Sequence, residues 1–248
     1  MKVRAVIAPL LLLVLALGGW GAVGKFGLVS DYLVPTPLEV WGAFVQDLGE
    51  FAEAFWVTGT AASIGFALSV VLGVFIALAL SLSPWLFRAF YPYTVMFQTV
   101  PIIAVAPLLV IWFGYGMPTV VVSAFLASVF PVLMASFTGL RAASPELRDL
   151  FTLYQASRWN TLFKLILPMA LPSLLTGVRI AAGLAVIGAI VGELVGGGGL
   201  GSVIDIARTQ QRVDKVFAAV VLACALGALA IAAIDVVSRW TLRKWEPR

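Results

Sequence analysis

The 248-residue chain contains no histidine and a single cysteine, Cys224, and only 11% of its residues are charged. Each shortage excludes something. Without an imidazole there is no His-ligated metal site, no Ser-His triad and no Cys-His dyad. One cysteine cannot close an internal disulfide. A soluble domain carries about 25% charged residues, and a chain this poor in charge could not cover its surface with solvated groups. Apolar residues are abundant instead, at 62%. That balance fits a multi-pass membrane protein, most of whose surface lipid covers. The net charge of +4 is then read as the excess of Lys and Arg in cytoplasmic loops, not as a nucleic-acid footprint.

A spanning helix needs about 20 mostly apolar residues. The charge-free stretches supply six crossings. They are Ala5–Val23, one from Ala54–Phe87, two from Ala89–Leu140, then Leu171–Gly192, interrupted only by Arg179, and Val216–Ile234. The turn signal Gly114-Tyr115-Gly116-Met117-Pro118 divides the third stretch into Tyr93–Phe113 and Thr119–Phe137. Lys2 and Arg4 ahead of the first run also fit a signal peptide, but no clean small-x-small cleavage site follows, so a retained helix is expected. An even number of crossings puts both termini on one side. With both inside, 12 of the 16 positive residues are cytoplasmic, and Lys25, Arg208, Arg212 and Lys215 are outside.

The expected organisation is therefore all-α. Residues 1–53 hold the first transmembrane helix and an outer amphipathic helix, residues 54–238 the transmembrane domain with a loop over 141–170, and residues 239–248 a basic cytoplasmic tail. Thr36-Pro37-Leu38-Glu39 is a capping box with proline at the first helical position. Trp41, Phe44, Val45 and Leu48 then form a stripe, either on the membrane surface or packed on the domain. Ala61, Gly65, Ser69, Gly73 and Ala77 recur every four residues, as do Gly177, Ala181, Ala185 and Ala189. In lipid, such small-residue stripes let backbones approach closely. Pro101 and Pro107 in the third crossing and Pro131 in the fourth are expected to kink their helices.

The cytoplasmic loop Arg141–Ala170 is longer than a connection between adjacent helices needs. Ser144 and Pro145 open a helix carrying Leu147, Leu150, Phe151 and Tyr154 at i, i+3, i+4, i+7. Ser157 opens a second, with Trp159, Leu162, Phe163 and Ile166, expected to end at Pro168 and Pro172. Exposed stripes of this kind fit a groove on a partner, or else pack back on the membrane domain.

The run Glu146-Leu147-Arg148-Asp149-Leu150-Phe151-Thr152-Leu153-Tyr154-Gln155-Ala156-Ser157-Arg158-Trp159, followed by Leu167-Pro168-Met169-Ala170-Leu171-Pro172, resembles the coupling loop of binding-protein-dependent ABC importer permeases. The nitrate, sulfonate and taurine group is the nearest in pattern. Further matching segments are Pro101 with Pro107-Leu108, Trp112-Phe113-Gly114-Tyr115-Gly116, Gly139-Leu140-Arg141, Gly192-Glu193 and Gly199-Leu200-Gly201. Asp149, Leu150 and Phe151 stand where the family has Glu-Ala-Ala, and Gln155 where it has glycine. Gln155 is therefore expected to make that bend more nearly helical, or to meet a different ATPase groove. These departures also resemble the subgroup importing vitamin-related heterocycles, such as pyrimidine precursors or riboflavin.

The resemblance implies a type I ABC importer fold in a bacterial inner membrane. It implies a homodimeric permease with the substrate path between the copies, a cytoplasmic ATPase dimer that binds ATP and Mg, and a solute-binding protein outside. It assigns ATPase coupling to Glu146, Leu147, Asp149, Leu150, Phe151, Tyr154, Gln155, Ala156, Ser157 and Arg158. This chain has no phosphate-binding Gly-x4-Gly-Lys-Ser/Thr loop, so it is expected to carry no cofactor or metal and no enzymatic activity. Gln98, Pro101 and Glu193 are the translocation-path candidates. Glu193 could equally cap the glycine-rich turn that follows it. Arg179 is expected to snorkel inward or to pair with a loop acid, and Asp235 to pair with Arg239 at i, i+4. The competing function is an ion-gradient-driven secondary transporter, which would be expected to show more embedded acids and two matching halves.

Overall fold

A computed structural model describes residues 11–12, 14–22, 33–81 and 83–243. The described residues form helices joined by short connections, without strands, and we name the two ends inner and outer after the charge distribution. The helices are α1 Pro37–Gln46, α2 Leu48–Ser81, α3 Pro84–Gln98, α4 Ile102–Phe113, α5 Met117–Leu140, α6 Pro145–Leu153, α7 Arg158–Thr161, α8 Leu167–Gly196, α9 Gly199–Thr209 and α10 Val213–Leu242. Four stretches are long and apolar enough to cross a membrane: α2, α5, residues 158–196 and α10. A fifth exists if α3 and α4, bent by 98° at Thr99–Pro101, are counted as one span. Much of the sixth, Ala5–Val23, lies outside the described residues, as do residues 244–248 of the tail. Residues 14–22 are helical, and Trp20 reaches α10, its ring 5.7 Å from that of Phe217.

Three boundaries differ from the sequence reading. The charge-free stretch Ala54–Phe87 does not form one helix with a tail. The helix starts at Leu48, ends at Ser81, and a new one capped by Ser83 begins at Pro84. The third crossing is not one helix kinked twice. It breaks at Pro101, whereas Pro107 and Pro131 stay inside continuous helices. Finally, Pro168 and Pro172 do not end a short second cytoplasmic helix. A π turn, Leu162–Ile166, carries α7 directly into α8, with Leu167 N bonded to Leu162 O. The wider turn absorbs the mismatch that a proline's missing N–H and its ring impose on the α-helical ladder.

The centre of the molecule is the pair α5 and α8, with α2 laid beside α5. Both small-residue stripes lie on these contacts. Ala61, Gly65, Ser69, Gly73 and Ala77 are buried against α5. A Cβ on Gly65 would sit 2.6 Å from the Cβ of Ala124. Gly177, Ala181, Ala185 and Ala189 are buried on α8, where a Cβ on Gly177 would collide with Ala135. Lipid gives no hydrophobic drive toward helix pairing, so this close approach holds the helices together. Hydroxyls add to it. Ser69 Oγ lies 2.6 Å from Ser128 Oγ and donates across to α5 at Phe125 O, 3.0 Å away, and Ser123 Oγ donates to Gly188 O at 2.6 Å. Interhelical bonds of this sort contribute about 0.6 kcal/mol each.

The capping box at α1 forms in both directions. Glu39 N donates to Thr36 Oγ1, and Thr36 N to Glu39 Oε2 at 2.7 Å. The structure splits the stripe: Phe44 packs inward, while Trp41, Val45 and Leu48 are exposed, and the inward face of α1 is instead Val40 and Ala43 beside Phe44. An ion network between residues far apart in the sequence joins the start of α2 to the start of α10. Lys215 Nζ lies 2.6 Å from Glu50 and 3.2 Å from Asp47, and Arg212 bridges Asp47 and Asp214. The Lys215 side chain is only 9% exposed. Asp235 pairs with Arg179 of α8 at 2.9 Å, not with Arg239 of its own helix. The i, i+4 spacing was available, but the facing helix offers Asp235 a guanidinium at hydrogen-bonding distance.

Candidate functional site

The loop Arg141–Gln155 is built to present α6. The Ser144 hydroxyl accepts from Leu147 N, and Pro145 sits in the first turn, where its missing N–H costs nothing. The Ser144 hydroxyl and the backbone amide of Glu146 itself hold the Glu146 carboxyl below its ordinary pKa. The root of the loop is fixed from two sides. Arg148 Nη2 donates to Leu140 O at the end of α5, and the Arg141 guanidinium stacks 3.5 Å over the ring of Phe87. Glu146, Leu147, Asp149, Leu150 and Tyr154 are exposed and Phe151 is half-buried; none of α6 is buried. The apolar stripe therefore does not pack back on this chain's own membrane domain.

Gln155 does not make the bend more helical. Its φ is +50°, in the left-handed region. Gln155 N bonds Thr152 O and Ala156 N bonds Phe151 O, the Schellman pattern that ends a helix. The chain thus keeps the backbone shape that glycine favours and carries it on a residue with a Cβ. Ser157 caps the next turn through Asn160 N, and Arg158 and Trp159 are exposed, with the Trp159 and Phe163 rings stacked 6.0 Å apart. Ala156 is half-buried. All ten coupling candidates therefore lie on α6, the bend after it and, for Arg158, the first residue of α7, at the inner end.

Gln98 and Pro101 flank the 98° elbow and are exposed on this chain. The elbow is surrounded by exposed Phe97, Val100 and Ile103. Glu193 is elsewhere, 1% exposed at the outer end of α8. Its Oε2 accepts from Gly201 N at 2.8 Å and lies 3.0 Å from the Thr58 hydroxyl, which itself accepts from Leu200 N. Its Oε1 is buried without a hydrogen-bond partner. Helix α9 begins at the last of three glycines with positive φ (83°, 85° and 63° at Gly197, Gly198 and Gly199), and its N-cap Gly198 offers no side chain. Glu193 and Thr58 supply that cap from two other helices. Thr58 escaped the sequence reading. A threonine in an apolar run carries no signal until the fold brings a carboxylate 135 positions away to it.

Residues 69–244 match the family described as the binding-protein-dependent transport system inner membrane component. The chain is 36% identical over 250 residues to a probable ABC transporter permease protein of Haemophilus influenzae, covering 99% of this chain and 98% of that one. It is 37% identical to the formylaminopyrimidine transport permease protein ThiX of Halalkalibacterium halodurans, over 83% of each chain. Other relatives are named for aliphatic sulfonate and riboflavin transport. Among solved structures, a chain of the MetNI methionine ABC transporter in an inward-facing form superimposes with a TM-score of 0.67 at 20% identity, over 77% of this chain and 96% of that one. The chain belongs to the binding-protein-dependent ABC permease family, whose members are membrane-spanning transport subunits and not enzymes. Its fold is that of a type I ABC importer permease.

Proposed function

We propose that this chain forms, as two copies, the path by which an ATP-driven importer moves a small solute across a bacterial inner membrane. The solute is a vitamin-related heterocycle of the pyrimidine-precursor or riboflavin kind, handed over by a binding protein at the outer face. The ThiX likeness supports that choice above nitrate, sulfonate or taurine. ATP and Mg bind a separate ATPase dimer. Its groove takes the Leu147, Leu150, Phe151 and Tyr154 stripe, flanked by Glu146, Asp149, Gln155, Ala156, Ser157 and Arg158. Gln98 and Pro101, exposed at the elbow between α3 and α4, line the path between the two copies, and Glu193 shapes its outer end.

The observation that carries this reading is the exposure of the α6 stripe at the inner end, on a loop anchored to α5 by Arg148. A helix that turns apolar residues to water needs a partner groove. The test is copurification. Replacing Leu150 and Tyr154 together by aspartate is expected to leave the permease in the membrane and to release the ATPase and ATP-dependent uptake. ATP-independent uptake by this chain alone would restore the ion-gradient reading. The solute is checked by titrating the neighbouring binding protein with formylaminopyrimidine, riboflavin and taurine.

A further inference from the structure

We propose that Glu193 is a positioning residue that couples the outer end of the permease to the inner, ATPase-facing end. It rests on the importer reading above. The α5–α8 pair is packed without slack along its length. At the inner end a Cβ on Gly139 would meet Ala170 O at 2.8 Å. Midway, a Cβ on Gly188 would lie 2.6 Å from Ala127. At the outer end, Gly116 N, in the turn before α5, bonds Gly196 O at 2.8 Å. Interiors this closely packed transmit a displacement instead of absorbing it. The coupling loop joins both members of the pair, α5 at Arg141 and α8 through α7 and the π turn. A shift imposed on α6 therefore reaches the outer end of α8, where Glu193 stands.

From there the shift passes on through two oxygens. Glu193 Oε2 holds Gly201 N, and Thr58 Oγ1 holds Leu200 N, so the N-terminus of α9 follows α8 and α2 together. Among the described residues no other side chain caps that terminus. The glycine turn leaves no room for a substitute, since a Cβ on Gly199 would overlap the Glu193 carboxylate. The far end of α9 leads through Arg212 to Asp47 at the start of α2. Helix α9 is thereby held at both ends, with Glu193 at the end that moves with α8.

The test measures uptake and ATP hydrolysis together in proteoliposomes containing this chain, its ATPase and its binding protein. Glu193→Ala and Thr58→Val are expected to lower uptake per ATP hydrolysed by about tenfold, the effect of losing one buried hydrogen bond at the α9 terminus, while hydrolysis itself continues. Glu193→Gln keeps the acceptor toward Thr58 and Gly201 and is expected to retain coupling within about threefold. A variant that merely loosens the fold would lower uptake and hydrolysis in proportion, leaving their ratio unchanged. The proposal is overturned if the ratio is unchanged in both Glu193→Ala and Thr58→Val, or if Glu193→Gln is as uncoupled as Glu193→Ala. If Glu193→Ala does not assemble, the near-isosteric Thr58→Val decides alone. A wild-type complex without ATP-dependent uptake overturns the importer reading as well, whereas coupled variants beside a coupled wild type overturn this proposal only.

Discussion

Gln155 shows how one residue can occupy a conformation that its type disfavours. Its φ of +50° places Cβ close to a backbone carbonyl, a strain of about 1–2 kcal/mol that glycine would avoid. The two Schellman hydrogen bonds hold it there. Glycine loses more chain entropy on folding, so most of the gain from Gln155→Gly is offset. Gln155→Gly is therefore expected to raise thermal stability slightly, by less than about 1 kcal/mol, without loss of ATPase binding. Gln155→Val, β-branched at positive φ, is expected to lower it by about 1–2 kcal/mol in the same melting assay. At the same scale, Lys215 lies between Asp47 and Glu50 with little access to water. Lys215→Met would take the ion-pair partner from Glu50, which is half in water, and leave Asp47 to Arg212 alone. A loss of about 2 kcal/mol is expected, read as a lower melting temperature.

Among the elements, prolines and glycines in the apolar runs carry different kinds of information. Proline removes one hydrogen bond wherever it stands, but whether the helix breaks depends on its neighbours. Pro101 ends one helix and precedes another, whereas Pro107, Pro131 and Pro172 sit inside helices that continue. Small-residue periodicity has no such freedom, because a stripe of Gly and Ala can only serve close approach. Gly188→Leu would drive a side chain into Ala127 and Ser123, and is expected to cost about 3 kcal/mol and to separate α8 from α5. Disulfide trapping of cysteine pairs across that interface would report the separation. The ion pair between Arg179 and Asp235 links α8 to α10 at a partly exposed site. A double-mutant cycle with Arg179→Ala and Asp235→Ala is expected to give a coupling energy of about 1 kcal/mol. Zero coupling would mean that the pair does not hold α10.

At the scale of the whole molecule, the α5–α8 pair connects the exposed apolar face of α6 at the inner end to a capped helix at the outer end. One copy leaves the elbow between α3 and α4 uncovered, with Phe90, Tyr93, Phe97 and Ile103 outward. Native mass spectrometry of the detergent-purified assembly is expected to show two permease chains with two ATPases. A single permease chain in an active assembly would place the path within one copy.

Composition and spacing by themselves determined that the chain is an all-α membrane protein, where its caps lie, which stripes pack, and that its inner loop offers an apolar face. These are local properties, set by hydrophobic run length, by the helical period and by the hydrogen-bonding habits of Ser, Thr and Pro. Only the tertiary structure decided that Asp235 meets Arg179, that Asp47 and Glu50 meet Lys215 and Arg212, and that Thr58 and Glu193 together cap α9. Each of these pairs polar groups far apart in the chain. In a low-dielectric interior a buried polar group takes whichever partner the packing of helices brings within about 3 Å, and sequence distance does not enter that choice.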